Sequence, residues 1–288
     1  MTDMTGIAGN AVSVYQQALT TVSNNIANVS TEGYSRQDVS LSALPVTKYG
    51  AAFLGSGVGL DRIKRQYDAF VESNLRNTTS DLEAQGPMVS YANRVVDVMG
   101  SSTMGLNTAF DAFFASARNL SGDPASTVLR SGFIRDSQGV ADRFGQLSSQ
   151  LDLVQQQTQQ DLESSINQIN TLTDQIAKVN TQLAKQKIEA AQPPDLLDQR
   201  DLLLKQLSVF VRINTRFEVN GIVKVSAGPT INADVLVDNQ KSFMIAANFD
   251  SASTEKVALV LDPYGNPSSL SRITSGSLSG ILAFRAQV

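Results

Sequence analysis

The chain has no cysteine and no histidine among its 288 residues. The missing thiols exclude disulfides, iron–sulfur clusters, thiolate zinc sites and cysteine nucleophiles. The missing imidazoles exclude a Ser-His-Asp triad, a histidine proton shuttle and histidine-ligated metals. Tryptophan is absent and aromatic residues make up only 6%. The apolar 42% is therefore mostly Leu, Val, Ile and Ala, the composition of helix bundles and coiled coils. Long apolar runs are missing too. The longest, Val257–Leu261 and Phe243–Ala247, are five residues, against about 20 for a membrane-spanning helix. No basic residue precedes Arg36, so no secretory signal is expected. Net charge is −4 with pI near 4.9, the wrong sign for nucleic acid. An enzyme built from this chain would have to work with carboxylates, Lys, Ser or Tyr alone, and no cofactor is expected.

The first long segment lacks charge altogether between Asp3 and Glu32. Ile7, Ala11, Val14 with Tyr15, Ala18, Val22, Ile26 and Val29 recur at spacings of three and four. That pattern predicts one amphipathic helix over about 4–29, with Gly33 as its stop. No Glu–Lys pairs support it, so it is expected to be weakly helical alone. Two readings follow: an ordinary amphipathic helix packed on its own domain, or a helix that waits for a partner helix. Residues 37–64 read as extended. Gly55-Ser-Gly-Val-Gly59 resembles a phosphate loop only superficially. The third glycine of that motif falls on Leu60, and no Gly-Lys-Ser/Thr follows.

Helical periods resume at Tyr67, with Val71, Leu75, Thr78 and Leu82, then Pro87 interrupts. A second helix is expected near Val89–Val98 and a third from Gly105 to Leu120. On the third, Leu106, Phe110, Phe113 and Phe114, Ala117 and Leu120 form a stripe expected in the core. From Val140 to Leu183 apolar residues recur over 43 residues with a mean step of about 3.6. A helix of that length spans about 65 Å, a rod or hairpin arm. Its other face is glutamine-rich, with twelve Gln between 138 and 186.

After Pro193-Pro194, Asp195 and Asp198 read as a structural N-cap and capping-box pair. Together with Asp201 they also form the one candidate for carboxylate acid–base chemistry, the alternative in which the chain is an enzyme. At Val209 the period drops to two, predicting a strand through Val219 and a hairpin at Asn220-Gly221. A three-residue loop with Gly221 as a bulge pairs Phe217 with Val223 and Thr215 with Val225, keeping one face apolar. Further strands are expected at Val235–Val237, Phe243–Ala247 and Val257–Leu261, the last closed by a turn at Pro263–Pro267. A final helix is expected over 277–288. The fold class is mainly α with a small antiparallel β subdomain: a long helical bundle or coiled-coil rod plus β-hairpins.

The run Ala18-Leu-Thr-Thr-Val-Ser-Asn-Asn-Ile-Ala-Asn-Val-Ser-Thr-Glu-Gly-Tyr-Ser-Arg-Gln37 resembles the N-terminal signature of the axial proteins of the bacterial flagellum. Ser30 and Glu32 stand where the rod members carry Asn and Pro. The ending Gly-Tyr-Ser-Arg-Gln is similar to the hook-associated members. So are three later segments in the same order: Arg65-Gln-Tyr-Asp-Ala-Phe70 with Leu75-Arg76, Pro194-Asp-Leu-Leu-Asp-Gln-Arg-Asp201, and Gly276-Ser-Leu-Ser-Gly-Ile-Leu-Ala-Phe-Arg285.

The resemblance implies a secreted, non-catalytic structural protein at the junction between hook and filament. It implies self-association in a ring, contact with hook protein and the second junction protein, and passage through the type III export apparatus with a chaperone. No nucleic acid and no membrane insertion are implied. Residues 1–36 would be the inner-core helix and turn, disordered in isolation and paired in the whole protein with a C-terminal helix of the same polypeptide. Residues 37–288 would be a middle domain, with long helices at about 66–120 and 137–208, a β part at about 209–262 and a truncated final helix. The chain would be an N-terminal fragment. Val14, Ala18, Val22, Asn24, Asn25, Ile26, Asn28, Gly33, Tyr34 and Arg36 are the expected assembly residues. The alternative within structural proteins is another type III-exported coiled-coil filament or translocator subunit.

Overall fold

Chain order builds the molecule around one long helix. A computed structural model describes residues 4–100, 106–188, 192–227, 230–231, 234–249, 257–262, 268–269 and 273–287. Helix α1 covers Met4–Ala27 and leads through a turn into strand β1, Gln37–Ala43. β1 pairs antiparallel with β4, Val58–Arg65, and a small hairpin of β2 (Thr47–Tyr49) and β3 (Ala52–Leu54) lies between them. Asp68 then caps α2, Ala69–Glu83, its carboxylate accepting from the backbone N–H of Phe70 and Val71. Helix α3, Gln85–Gly100, follows after Ala84 alone. Pro87 sits in its first turn, where a missing N–H costs nothing.

Helices α4 (Leu106–Gly122) and α5 (Thr127–Leu183) form an arm. At 57 residues α5 spans about 85 Å. It begins ten residues before the expected start, capped by the Ser126 hydroxyl. Its two halves differ. Every buried residue of α5 lies between Val154 and Leu183. There α5 packs on α6 (Pro194–Phe210), on α7 (Ser277–Arg285) and on the β subdomain. The first half meets mainly α4. The α4 phenylalanines expected in the core are a surface staple instead: Phe113 lies tilted against Phe133 with ring centroids 5.3 Å apart, Phe110 meets Phe144 edge-to-face at 6.1 Å, and no α4 residue is buried. A two-helix arm has too few layers to bury them.

The β subdomain is a meander of β5 (Asn214–Phe217), β6 (Val223–Ser226), β7 (Val235–Asp238) and β8 (Lys241–Ser242). A separate sheet holds β9 (Met244–Phe249), β10 (Val257–Asp262) and β11 (Ser268–Ser269). The β5–β6 register pairs Phe217 with Val223 and Thr215 with Val225, as the three-residue loop requires. Gly221 takes φ +80, the left-handed bulge position. Val209 and Phe210 belong to α6, so the strand starts later than the alternation suggested. The expected turn at 263–267 lies outside the described residues.

Two side-chain amides, the buried Asn180 and the half-buried Asn170, fix helix to sheet. Asn180 on α5 donates to the Val223 carbonyl at 2.8 Å and accepts from the Val223 N–H at 3.0 Å. Asn170 makes the same pair of bonds with Ile245 at 2.9 and 2.8 Å. The main core gathers α5, α6, α7 and the meander, with Leu162, Ile169, Ile176, Leu204, Leu207, Val223 and Leu236 sealed from solvent. No helix among the described residues is long and apolar enough to cross a membrane.

Candidate assembly site

Helix α1 carries two apolar seams, because its small and apolar residues recur on both sides. The inner seam, Ile7, Ala11, Val14, Ala18, Thr21, Asn25 and Asn28, steps by four and three and turns towards the β1–β4 ribbon. Val14 and Thr21 are buried there. The sequence expectation that α1 has no partner within the chain is therefore corrected: the ribbon is that partner. The outer seam, Ala8, Val12, Tyr15, Leu19, Val22, Ile26 and Val29, keeps the same steps and faces solvent throughout. Val22 is 51% exposed and Ile26 69%.

The turn after α1 is fastened by side-chain amides. Asn25 donates to the Gln37 carbonyl at 2.8 Å, and its own carbonyl accepts from the Gln37 N–H at 2.9 Å and the Tyr34 hydroxyl at 2.8 Å. Asn28 donates to the Asn24 carbonyl and accepts from the Thr31 hydroxyl. Asn10 donates to the Val58 carbonyl at 2.8 Å. The backbone carbonyl of Arg36 accepts from Gln66. So of the residues expected on the assembly surface, Val14, Ala18, Asn25, Asn28 and Tyr34 turn to the chain's own ribbon and turn, while Val22 and Ile26 stay open. Asn24 and Arg36 are exposed.

Gly33 takes φ +80, and a Cβ there would sit 3.0 Å from the Leu202 Cβ. The turn thus lies directly on α6. Beneath it is a closed ionic knot. Arg65, at the end of β4, approaches Asp198 at 2.9 Å and Asp201 at 2.6 Å. Asp201 also takes Arg200 at 2.8 Å. Asp198 accepts from the backbone N–H of Ser35 at 3.2 Å, and the Ser35 hydroxyl accepts from Arg65 at 3.3 Å. Arg200 continues to the Gly221 carbonyl and lies 4.5 Å over the Phe217 ring. Burial pushes the Asp198 carboxyl above its ordinary range, opposed by the Ser35 amide and Arg65.

This geometry corrects the capping assignment. Pro193 occupies the cap of α6 with no side-chain hydrogen bond, and Pro194 opens the helix. Asp195 lies in the first turn, where the helix dipole favours an acid. Asp198 is one turn further in and looks to Arg65. The Asp198 and Asp201 side chains, each 10% exposed, engage arginines and a backbone amide rather than an open cleft. Sequence reasoning missed Arg65 and Arg200 as anchors. The signal was there in the two motif segments Arg65–Phe70 and Pro194–Asp201, which meet in this knot.

Residues 92–288 match the family model for the flagellar hook-associated protein FlgK helical domain, and residues 7–34 match that of the flagella basal body rod protein. The chain belongs to the FlgK family of flagellar hook-associated proteins. It is 29% identical over 294 residues to flagellar hook-associated protein 1 of Salmonella typhimurium, covering 100% of this chain and 52% of that protein. It is 31% identical over 267 residues to the Bacillus subtilis protein of the same name, covering 85% and 52%. The chain spans about half the length of the curated relatives it matches. The structure of the flagellar hook junction protein FlgK from Burkholderia pseudomallei superposes with a TM-score of 0.59 at 23% identity, over 74% of this chain and 39% of that one. The FlgK-family fold is thus mainly helical with small antiparallel sheets.

Proposed function

We propose that this chain is part of a structural subunit of the bacterial flagellum, joining hook to filament by self-assembly and without catalysis. The outer seam of α1 carries the reading. It is an apolar heptad stripe held in solvent by a helix whose other face is already docked. Leaving such a stripe open has no use in an isolated molecule and suits a helix that packs into a tube. The relatives' names place them at the flagellar hook. Hook protein, the second junction protein, the export apparatus and its chaperone are the partners this reading assigns. The seam's occupant is a helix from the half of the polypeptide that the relatives have beyond the matched length.

The test is Val22→Asp with Ile26→Asp in the whole gene product. Burying an unpaired carboxylate in a helix seam costs several kcal/mol, so cells should make hooks but no filaments. Both side chains face solvent in this chain, and surface changes usually move stability by under about 0.5 kcal/mol. The melting midpoint of the 288-residue chain should therefore stay within about 2 °C of wild type. Normal filaments in the double mutant would remove the proposed contact.

A further inference from the structure

The inner side of helix α2 is polar. The two residues that α2 buries are Arg76, 3% exposed, and Ser80, 0% exposed. They stand one turn apart on the buried face of the helix, whose main neighbour is α6. A buried arginine ordinarily has a carboxylate partner. Among the described residues Arg76 forms no ion pair and no hydrogen bond, and its Nη1 is sealed from solvent without a partner. The Tyr67 hydroxyl beside it and the Ser80 hydroxyl are sealed and unpartnered too. Glu72, one turn back on the same helix, forms no ion pair with Arg76. The ionic knot does not supply the missing charge. Tyr67 links the two places: Arg65 lies 5.0 Å over its ring, and the charges of Asp201, Arg76 and Arg200 act on its hydroxyl. Asp198 is taken by Arg65, and Asp201 by Arg65 and Arg200. Three arginines thus face two aspartates, and one positive charge is left unmatched. Nor does Tyr67 balance it as a phenolate. Burial and the Asp201 charge push its pKa above the ordinary range, so it stays a neutral donor.

We infer that Arg76, with the hydroxyls of Tyr67 and Ser80, binds one small inorganic anion, a monovalent ion of the chloride class. All three groups can donate a hydrogen bond, and Arg76 cannot lose its charge. Residues one turn apart on a helix hold their Cβ atoms within about 5–6 Å, so a single ion can touch both Arg76 and Ser80. One negative charge balances the cluster. A dianion overshoots by one charge in a site closed to water. Without the ion, the buried guanidinium keeps neither water nor a counter-charge. The anion is thus a structural ligand that holds α2 on α6 from beneath the N-terminal turn, and the stability of the chain depends on which anion is present.

The test replaces sodium gluconate, whose anion is too large for a sealed site, by sodium chloride at equal ionic strength, which leaves general screening unchanged. In the 288-residue chain and in the whole gene product alike, the melting midpoint should rise by about 2–4 °C as chloride enters and then saturate. The protein should also broaden the chlorine NMR line. Arg76→Met should abolish both effects. Tyr67→Phe with Ser80→Ala keeps the charge and removes two donors, so it should weaken chloride at least about tenfold; it carries the test if Arg76→Met does not fold. Equal midpoints in the two salts overturn the inference, and so does a chloride response that Arg76→Met retains. An Arg76-dependent rise larger with phosphate than with chloride overturns the monovalent assignment. A response seen in the 288-residue chain but lost in the whole gene product also overturns it, because a carboxylate from the rest of the polypeptide then fills the site.

Discussion

At the scale of single residues, the decisive groups are the charges that hold the N-terminal turn to α6. Arg65 is sandwiched between Asp198 and Asp201, over the Tyr67 ring at 5.0 Å. Removing one partner of a buried pair leaves the other charge short of compensation. Asp198→Asn keeps the size and an acceptor for the Ser35 N–H but removes one carboxylate. Because Arg65 keeps Asp201, the expected loss is about 1–3 kcal/mol, below the about 3–5 typical of a fully orphaned charge. Urea unfolding followed by circular dichroism measures it. A capping role would predict a smaller loss and a turn still bound to α6. The asparagine has one oxygen for two donors, the Ser35 N–H and Arg65, so the knot predicts that Asp198→Asn loosens the turn and speeds amide exchange across 33–37. These residues were legible as motif members, but not as a cluster. Arg65 and Asp201 stand 136 positions apart, and only the ribbon's return path brings them together.

At the scale of elements, legibility depended on whether a pattern had one face or two. The β5–β6 register was readable because one face is apolar and Asn220-Gly221 fixes the loop. The length of α5 was readable from its period over the core half, while its first turns carry no comparable stripe. The faces of α1 were not readable. It has two seams, and periodicity says that a face is apolar without saying which partner fills it. Glycines show the same dependence on context. Gly280 lies inside α7, where any Cβ would overlap the Ala84 carbonyl. Gly139 and Gly145 lie inside α5 with open space at the Cβ position. Gly280→Ala should therefore destabilise the chain by about 1–3 kcal/mol through overpacking. Gly139→Ala should stabilise it by up to about 1 kcal/mol, because alanine loses less backbone entropy in a helix. Thermal melts of the two variants should shift in opposite directions. A common sign would mean that α7 does not seat on α2 and α3 as described.

At the scale of the whole molecule, the chain exposes 17441 Å² of surface, against about 12,000 Å² for a compact protein of its mass. The excess belongs to an elongated shape in which local stability must be uneven. The second half of α5 is wrapped by α6, α7 and the meander, with Leu162, Ile169, Ile176 and Leu183 sealed. Helix α1 buries only Val14 and Thr21, on a ribbon of two strands. Ordering a residue costs about 1–2 kcal/mol, and two buried side chains with a few amide bonds offset little of that over 24 residues. The ribbon can therefore set where α1 rests without holding it there for long. In a dilute monomer of this chain, amides of residues 10–27 should exchange at least a hundredfold faster than those of residues 162–183. Mass-resolved hydrogen exchange at neutral pH reads both segments in one experiment. In assembled material the difference should shrink, because covering the outer seam supplies the burial that the monomer lacks. Equal protection of the two segments in the monomer would mean that α1 and the ribbon belong to the same cooperative unit as the core. The open seam would then be a rigid, preformed surface rather than one that orders as subunits meet.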